Sequence, residues 1–150
     1  MLLEKHIPEV YSLLFGERVN GKHRVLIAAQ PAAWAVLKAM LGDVAVLVPA
    51  HTTADAFKIL ERERIDLIVC TIAFDESQMM EFLETVKRTI SSGHIPFLCA
   101  RVLLGGPDSL VPTIRDGCKA LGAADLVDIA RLPPERAQAA MRAAVEASLQ

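Results

Sequence analysis

Little charge of either sign is left over in this chain: 16 lysines and arginines stand against 18 aspartates and glutamates, a net charge of -2. No basic stripe exists to follow a phosphate backbone, which argues against nucleic-acid binding. Long apolar runs are missing from the N-terminal stretch MLLEKHIPEVYSLLFGERVNGKH, which carries Glu4 and Glu9 early. Neither a signal peptide nor a membrane span is expected there. Cysteine is scarce, and Cys70, Cys99 and Cys118 lie far apart without CxxC spacing. Two of them fall in apolar runs that read as strands, so buried free thiols are expected rather than a metal or redox centre. His6, His23, His51 and His94 are scattered with no metal-ligand spacing. Ser91, Ser92 and Ser109 stand in no nucleophile elbow. The absences point to a reduced, cytoplasmic protein that is not an enzyme and needs neither metal nor cofactor.

What is present is apolar: 53% of 150 residues are hydrophobic. A chain of this length is the size of one domain and buries roughly two thirds of its unfolded surface. Residues 1–20 read as a separate N-terminal helical extension. Pro8 suits a first turn, Gly16 a C-terminal cap, and Leu3, Ile7, Val10 and Leu14 fall on one face. Asn20-Gly21 marks a turn into the main domain, residues 21–150.

Strands are expected at HRVLIAA (23–29), VAVLVPA (44–50), DLIVCTI (66–72), IPFLCA (95–100) and Ala124 to Ile129. Near-continuous apolar runs of this kind suit strands covered on both faces. Helices alternate with them. One runs from Pro31 to Gly42. A second, capped by Thr52 or Thr53, places Ala54, Phe57, Ile59 and Leu60 inward. A third is capped by Ser77 and ends near Ser91. A fourth begins near Asp108 or Ser109, where Pro112 is tolerated in the first turn. The last starts at Pro133-Pro134, with Ala137, Met141, Ala144 and Val145 on its core face. Alternating strands and helices joined by short loops predict an α/β fold, a flavodoxin-like three-layer sandwich with a five-stranded parallel sheet in the order 2-1-3-4-5. Ligand sites in such a fold lie beyond the carboxyl ends of the strands.

RVLIAAQ, IDLIVCTIAFDES, HIPFLCAR and LGAADLVDI resemble, in order and spacing, the first, third, fourth and fifth strand regions of the CheY-like receiver domain of two-component response regulators. The resemblance covers about residues 23–148. It implies a domain whose family moves a phosphoryl group from a phospho-histidine to an aspartate, with Mg²⁺ neutralising the transferring oxygens. Here the residues implied for that chemistry are replaced. The two metal-binding acids become Ala29 and Gln30, the nucleophilic aspartate becomes Thr71, the hydroxyl becomes Arg101, and the lysine becomes Ile129, or Asp128 with a shift of one. Alanine has no oxygen for a hard cation. A threonine hydroxyl cannot form an acyl phosphate.

The resemblance implies a degenerate pseudo-receiver, acting through protein–protein contact with a kinase, an output domain or a second copy of itself. The surface of residues 108–149, which includes the small-residue face of the last helix, is the expected homodimer or output face; the N-terminal helix is the other candidate. The alternative is a small-molecule or anion sensor using Gln30, Thr71 and Arg101. In the plugged version of the pocket, Arg101 pairs with Asp75 or Glu76. His51 borders the same region, and Trp34 is read as partly exposed near the rim or beneath the N-terminal helix, either an interface anchor or a side chain partly buried within the monomer.

Overall fold

The computed structural model describes residues 21–150. The expected N-terminal helix lies outside the described residues. Five parallel strands, β1 (Arg24–Ala28), β2 (Val46–Ala50), β3 (Leu67–Thr71), β4 (Phe97–Arg101) and β5 (Asp125–Asp128), form one sheet in the order β2-β1-β3-β4-β5. This is the flavodoxin-like order that the alternation of strands and helices predicts. Among the described residues five long helices surround the sheet: α1 (Pro31–Leu41), α2 (Thr53–Arg62), α3 (Met79–Arg88), α4 (Val111–Ala120) and α5 (Pro134–Ser148). A single helical turn, Phe74–Ser77, precedes α3, and a 3-10 turn, Asp108–Leu110, precedes α4. None of these helices is long and apolar enough to cross a membrane.

The strands alternate their side chains between two apolar layers, as a pleated backbone requires. Val25, Ile27, Leu67, Val69, Leu98 and Ala100 pack with α1 and α5 through Leu37, Leu41 and Met141. Leu26, Ile68, Cys70, Cys99 and Leu126 face α2, α3 and α4 through Leu60, Phe82, Leu83 and Cys118. Because β3 and β4 are covered on both sides, every residue of each is buried. Phe82 anchors the second layer, with its ring 5.2 Å from Phe57, 5.4 Å from Phe74 and 5.8 Å from Phe97, in tilted and edge-on geometries.

Several local expectations shift. On α2 the buried residues are Ala56 and Leu60; Phe57 and Ile59 pack at the edge of the core and Ala54 is exposed. The cap is Thr52, whose hydroxyl accepts from the Asp55 N–H at 3.1 Å. Ser77 does not cap α3. It has φ +65°, and the helix starts at Met79 after Gln78, ending at Arg88 rather than near Ser91. Trp34 packs at the edge of the α1–α5 layer, with the Lys38 ammonium 6.0 Å from its ring centroid.

The three cysteines, distant in sequence, converge in the second layer. Cys70 and Cys99 are register partners on β3 and β4. The Cys118 sulfur on α4 lies 3.5 Å from the Met80 sulfur. All three are free and buried, as the apolar setting of two of them suggests. Burial, then the neighbouring Cys118, pushes the Cys70 thiol well above its usual range. Cys99 is also raised, by its hydrogen bond with Cys118 and then by burial. Gly117 makes the approach of α3 to α4 possible, because a Cβ there would lie 2.8 Å from the Met80 methyl.

Candidate functional site

At the carboxyl ends of the strands, where β1 and β3 diverge into loops on opposite sides of the sheet, a cleft of about 440 Å³ opens. Parallel order 2-1-3-4-5 places the switch in connection direction at this point, so a depression is expected here. Gln30, Thr71, Ser77, Arg101 and the loop residues Leu104 and Gly105 are among its lining. The structure thus brings Gln30, Thr71 and Arg101 together, as the fold requires. Ala29 and Ile129 belong instead to the buried α1–α5 layer.

Each position follows from its element. Ala29 immediately follows β1, is fully buried, and donates its N–H to the Ala50 carbonyl at 3.0 Å. Gln30 precedes α1 in extended backbone, with no side-chain cap hydrogen bond. Thr71 ends β3 opposite Ala100 of β4 and is 3% exposed. Among the described residues its hydroxyl has no hydrogen-bond partner. An unmade hydrogen bond at a buried hydroxyl costs about 1–3 kcal/mol. Ile129 follows β5 and donates its N–H to the Arg101 carbonyl at 2.9 Å, with its side chain buried.

Arg101 ends β4 and is 4% exposed, yet it does not meet Asp75 or Glu76. Its guanidinium pairs with Asp128, its register partner on β5, at 3.2 Å, and with Asp108 at 2.8 Å. It also donates to the Gly105 carbonyl at 3.3 Å. Asp108 completes a chain of alternating charges by accepting from Arg131 at 2.7 Å. The hydrogen bond from Arg101 is the main reason the Asp108 carboxyl sits below its usual range, and Asp108 in turn holds the Arg101 guanidinium above its own. The long loop after β4 therefore folds back and is fastened across the buried arginine.

Asp75 is occupied elsewhere for a geometric reason. Asp75, Glu76 and Ser77 have φ of +46°, +57° and +65°, a left-handed run without a glycine. That turn aims the Asp75 carboxylate at the start of α2, where it accepts from the Thr53 N–H at 2.8 Å and the Thr53 hydroxyl at 3.0 Å. It satisfies an orphan donor of the helix N-terminus. Left-handed conformations cost roughly 1–2 kcal/mol for each ordinary residue. His51, which the sequence sets loosely at the rim, is anchored: its Nδ1 lies 2.7 Å from the Ala29 carbonyl, which accepts a hydrogen from it.

Sequence reasoning missed Asp108, Arg131 and Thr53 as partners. The signal for Asp128 was present in its alternative place at the family's lysine position. Among the described residues no group of three or more histidines, cysteines or acids comes together to hold a metal ion.

No protein-family model matches the chain, and no curated protein matches it in sequence. Solved structures do match in fold. A response regulator from Hahella chejuensis superposes with a TM-score of 0.67 at 20% identity, covering 86% of this chain and 96% of that one. The phosphorylated form of a cyanobacterial phytochrome response regulator gives 0.67 at 13% identity, covering 87% and 96%. An orphan response regulator of H. pylori gives 0.63 at 17% identity, covering 88% and 100%. In architecture this chain carries the fold of response-regulator receiver domains over nearly its whole described length.

Proposed function

We propose that the chain is a pseudo-receiver: a signalling module of a two-component-type system that works in the cytoplasm through protein–protein contact and without phosphorylation. One observation carries this reading. At the carboxyl edge of the sheet the residue ending β3 is Thr71, and the only cation in the cleft lining among the described residues, Arg101, is already neutralised by Asp108 and Asp128. A phosphoryl group brought here would meet no nucleophilic carboxylate, no acids for a divalent cation at Ala29 and Gln30, and no unpaired positive charge. The same pairing speaks against Arg101 as an anion receptor. The similar structures named as response regulators support the signalling context through fold.

The proposed contact surface lies beside the fastened loop. Leu103, Leu104 and Leu110 are 41%, 60% and 50% exposed within eight residues, next to α4 and β5. Large apolar side chains gathered in this way suit a partner surface better than solvent. A kinase, an output domain or a second copy would bind across residues 108–149 and this apolar margin.

The test is incubation of the full chain with Mg²⁺ and acetyl phosphate, followed by intact-mass measurement, with light scattering on the same samples. The expected mass is unchanged, and any self-association is insensitive to the phosphodonor and weakened by Leu104→Asp. Gain of one phosphoryl group that Thr71→Ala abolishes would overturn the reading.

A further inference from the structure

The cleft at the carboxyl ends of the strands holds a group that phosphoryl chemistry does not use. Thr71 is buried in its lining, and its hydroxyl has no hydrogen-bond partner among the described residues. Buried polar groups are nearly always hydrogen-bonded, so this one marks a place for a partner from outside the domain. Its direction follows from the pleat. Val69, two residues earlier on β3, packs in the α1–α5 layer, and alternation turns Thr71 to the same face. On that face Gln30 and Ala33 line the cleft at the start of α1. The Gln30 amide carries both donors and an acceptor, and its side chain does not cap the helix.

Charge in the cleft is balanced. Among the described residues its lining holds no carboxylate, and its one cation, Arg101, is bound by Asp108 and Asp128. Ala33, Val102 and Leu104 add apolar surface, Val102 from the same α1–α5 layer. The cleft volume of about 440 Å³ falls within the roughly 300–1,000 Å³ usual for small-molecule sites. An ion entering here would shed water and meet no free counter-charge. An uncharged molecule would lose little hydration and gain both the polar and the apolar contacts.

We propose that this cleft binds a small uncharged molecule with an apolar body and one amide edge, the edge meeting Thr71 and Gln30 and the body lying against Val102 and Leu104. An amide edge sets a donor and an acceptor side by side, which a hydroxyl and a side-chain amide match. Retaining a buried hydroxyl for recognition also accounts for a group that adds nothing to the stability of the domain by itself. The inference does not rest on the pseudo-receiver reading. Phosphorylation and partner contact test that reading, ligand binding tests this one, and either can fail alone.

The experiment titrates the ¹⁵N-labelled full chain with three probes of one shape and different charge: neutral benzamide, anionic benzoate and cationic benzamidine. Benzamide is expected to move the amide signals of Thr71, Ile72, Leu104 and Gly105, with a dissociation constant on the order of 1 mM, as suits a fragment of its size. Benzoate and benzamidine should bind roughly tenfold more weakly, since each buries an unpaired charge. Thr71→Val keeps the side-chain shape and Gln30→Met lies outside the strands, so both variants fold. Each should weaken benzamide binding by roughly threefold to tenfold, the loss of one hydrogen bond. Four results would overturn the proposal. One is no shift with benzamide at the limit of its solubility, which would leave Thr71 to an ordered water only. Another is tighter binding of benzoate, which would mean that Arg101 leaves its acids to receive an anion. The others are equal binding by Thr71→Val and the parent chain, and shifts confined to Val44 and Leu149 at the opposite end of the sheet.

Discussion

Thr71 concentrates the chemistry of this fold in a single side chain. A carboxylate at the end of β3 would need cations around it, whereas a threonine is neutral and needs only a hydrogen-bond partner, which it lacks among the described residues. Removing the hydroxyl while keeping the shape should therefore relieve a desolvation cost. Thr71→Val is expected to leave stability unchanged or raise it by about 1 kcal/mol, measured as an upward shift of the urea midpoint at constant slope. A clear loss would mean that the hydroxyl is partnered in solution. The absence of a carboxylate at Ala29, Gln30 and Thr71 was legible in the sequence because identity alone decides it. The partners of Arg101 were not, since Asp108 reaches it only when the loop after β4 turns back, and no local pattern encodes that return. His94 illustrates a residue whose role depends on its surroundings. Burial, then the nearby Lys87 and Arg64, lowers its affinity for a proton. The folded state favours the neutral ring, so this contribution to stability is present above the unfolded value of about 6.5 and is lost as the pH falls from there through the lower folded value. Unfolding free energy should decline between pH 7.5 and 5.5, and His94→Gln should flatten that decline.

At the level of elements, the strands were the most legible parts because burial on both faces writes an almost unbroken apolar run. The boundaries moved by one or two residues at the strand ends, where His23, Asp66 and the buried Ile95 fall outside the strands themselves. Helix α5 matched its expected start at Pro134, since two adjacent prolines can only precede or open a helix. The turn Phe74–Ser77 was illegible for a specific reason. Left-handed backbone is normally announced by glycine, and Asp75, Glu76 and Ser77 adopt it without one. What sustains it is tertiary, the pair of hydrogen bonds from Thr53 to Asp75. Asp75→Ala removes the one carboxylate oxygen that accepts both hydrogen bonds and places a residue less tolerant of this conformation in the turn, for an expected loss of about 1–3 kcal/mol in urea unfolding. Asp75→Asn keeps an acceptor and tolerates the left-handed region, and should lose less than half as much. Equal losses for the two variants would show that the carboxylate charge, and not the turn geometry, holds this connection.

For the whole molecule, the two open margins of the sheet limit how copies can meet. Strand β2 forms one margin, and its residues Val46 and Ala50 exchange hydrogen bonds with the chain of β1 through the Val46 N–H and the Ala50 carbonyl. Alternation along a parallel ladder turns the backbone of Pro49 outward, to where an added strand would seek an amide hydrogen. Proline offers none. At the other margin, β5, the Arg115 guanidinium donates to the Leu126 carbonyl at 2.9 Å, so an approaching strand would find that acceptor engaged. Growth of the sheet from molecule to molecule is thus hindered by a missing amide hydrogen on one side and an engaged carbonyl on the other. Encounters between copies would then favour helix-to-helix contact over fibre-like stacking of sheets, even in a chain with 53% hydrophobic residues and a net charge of only -2.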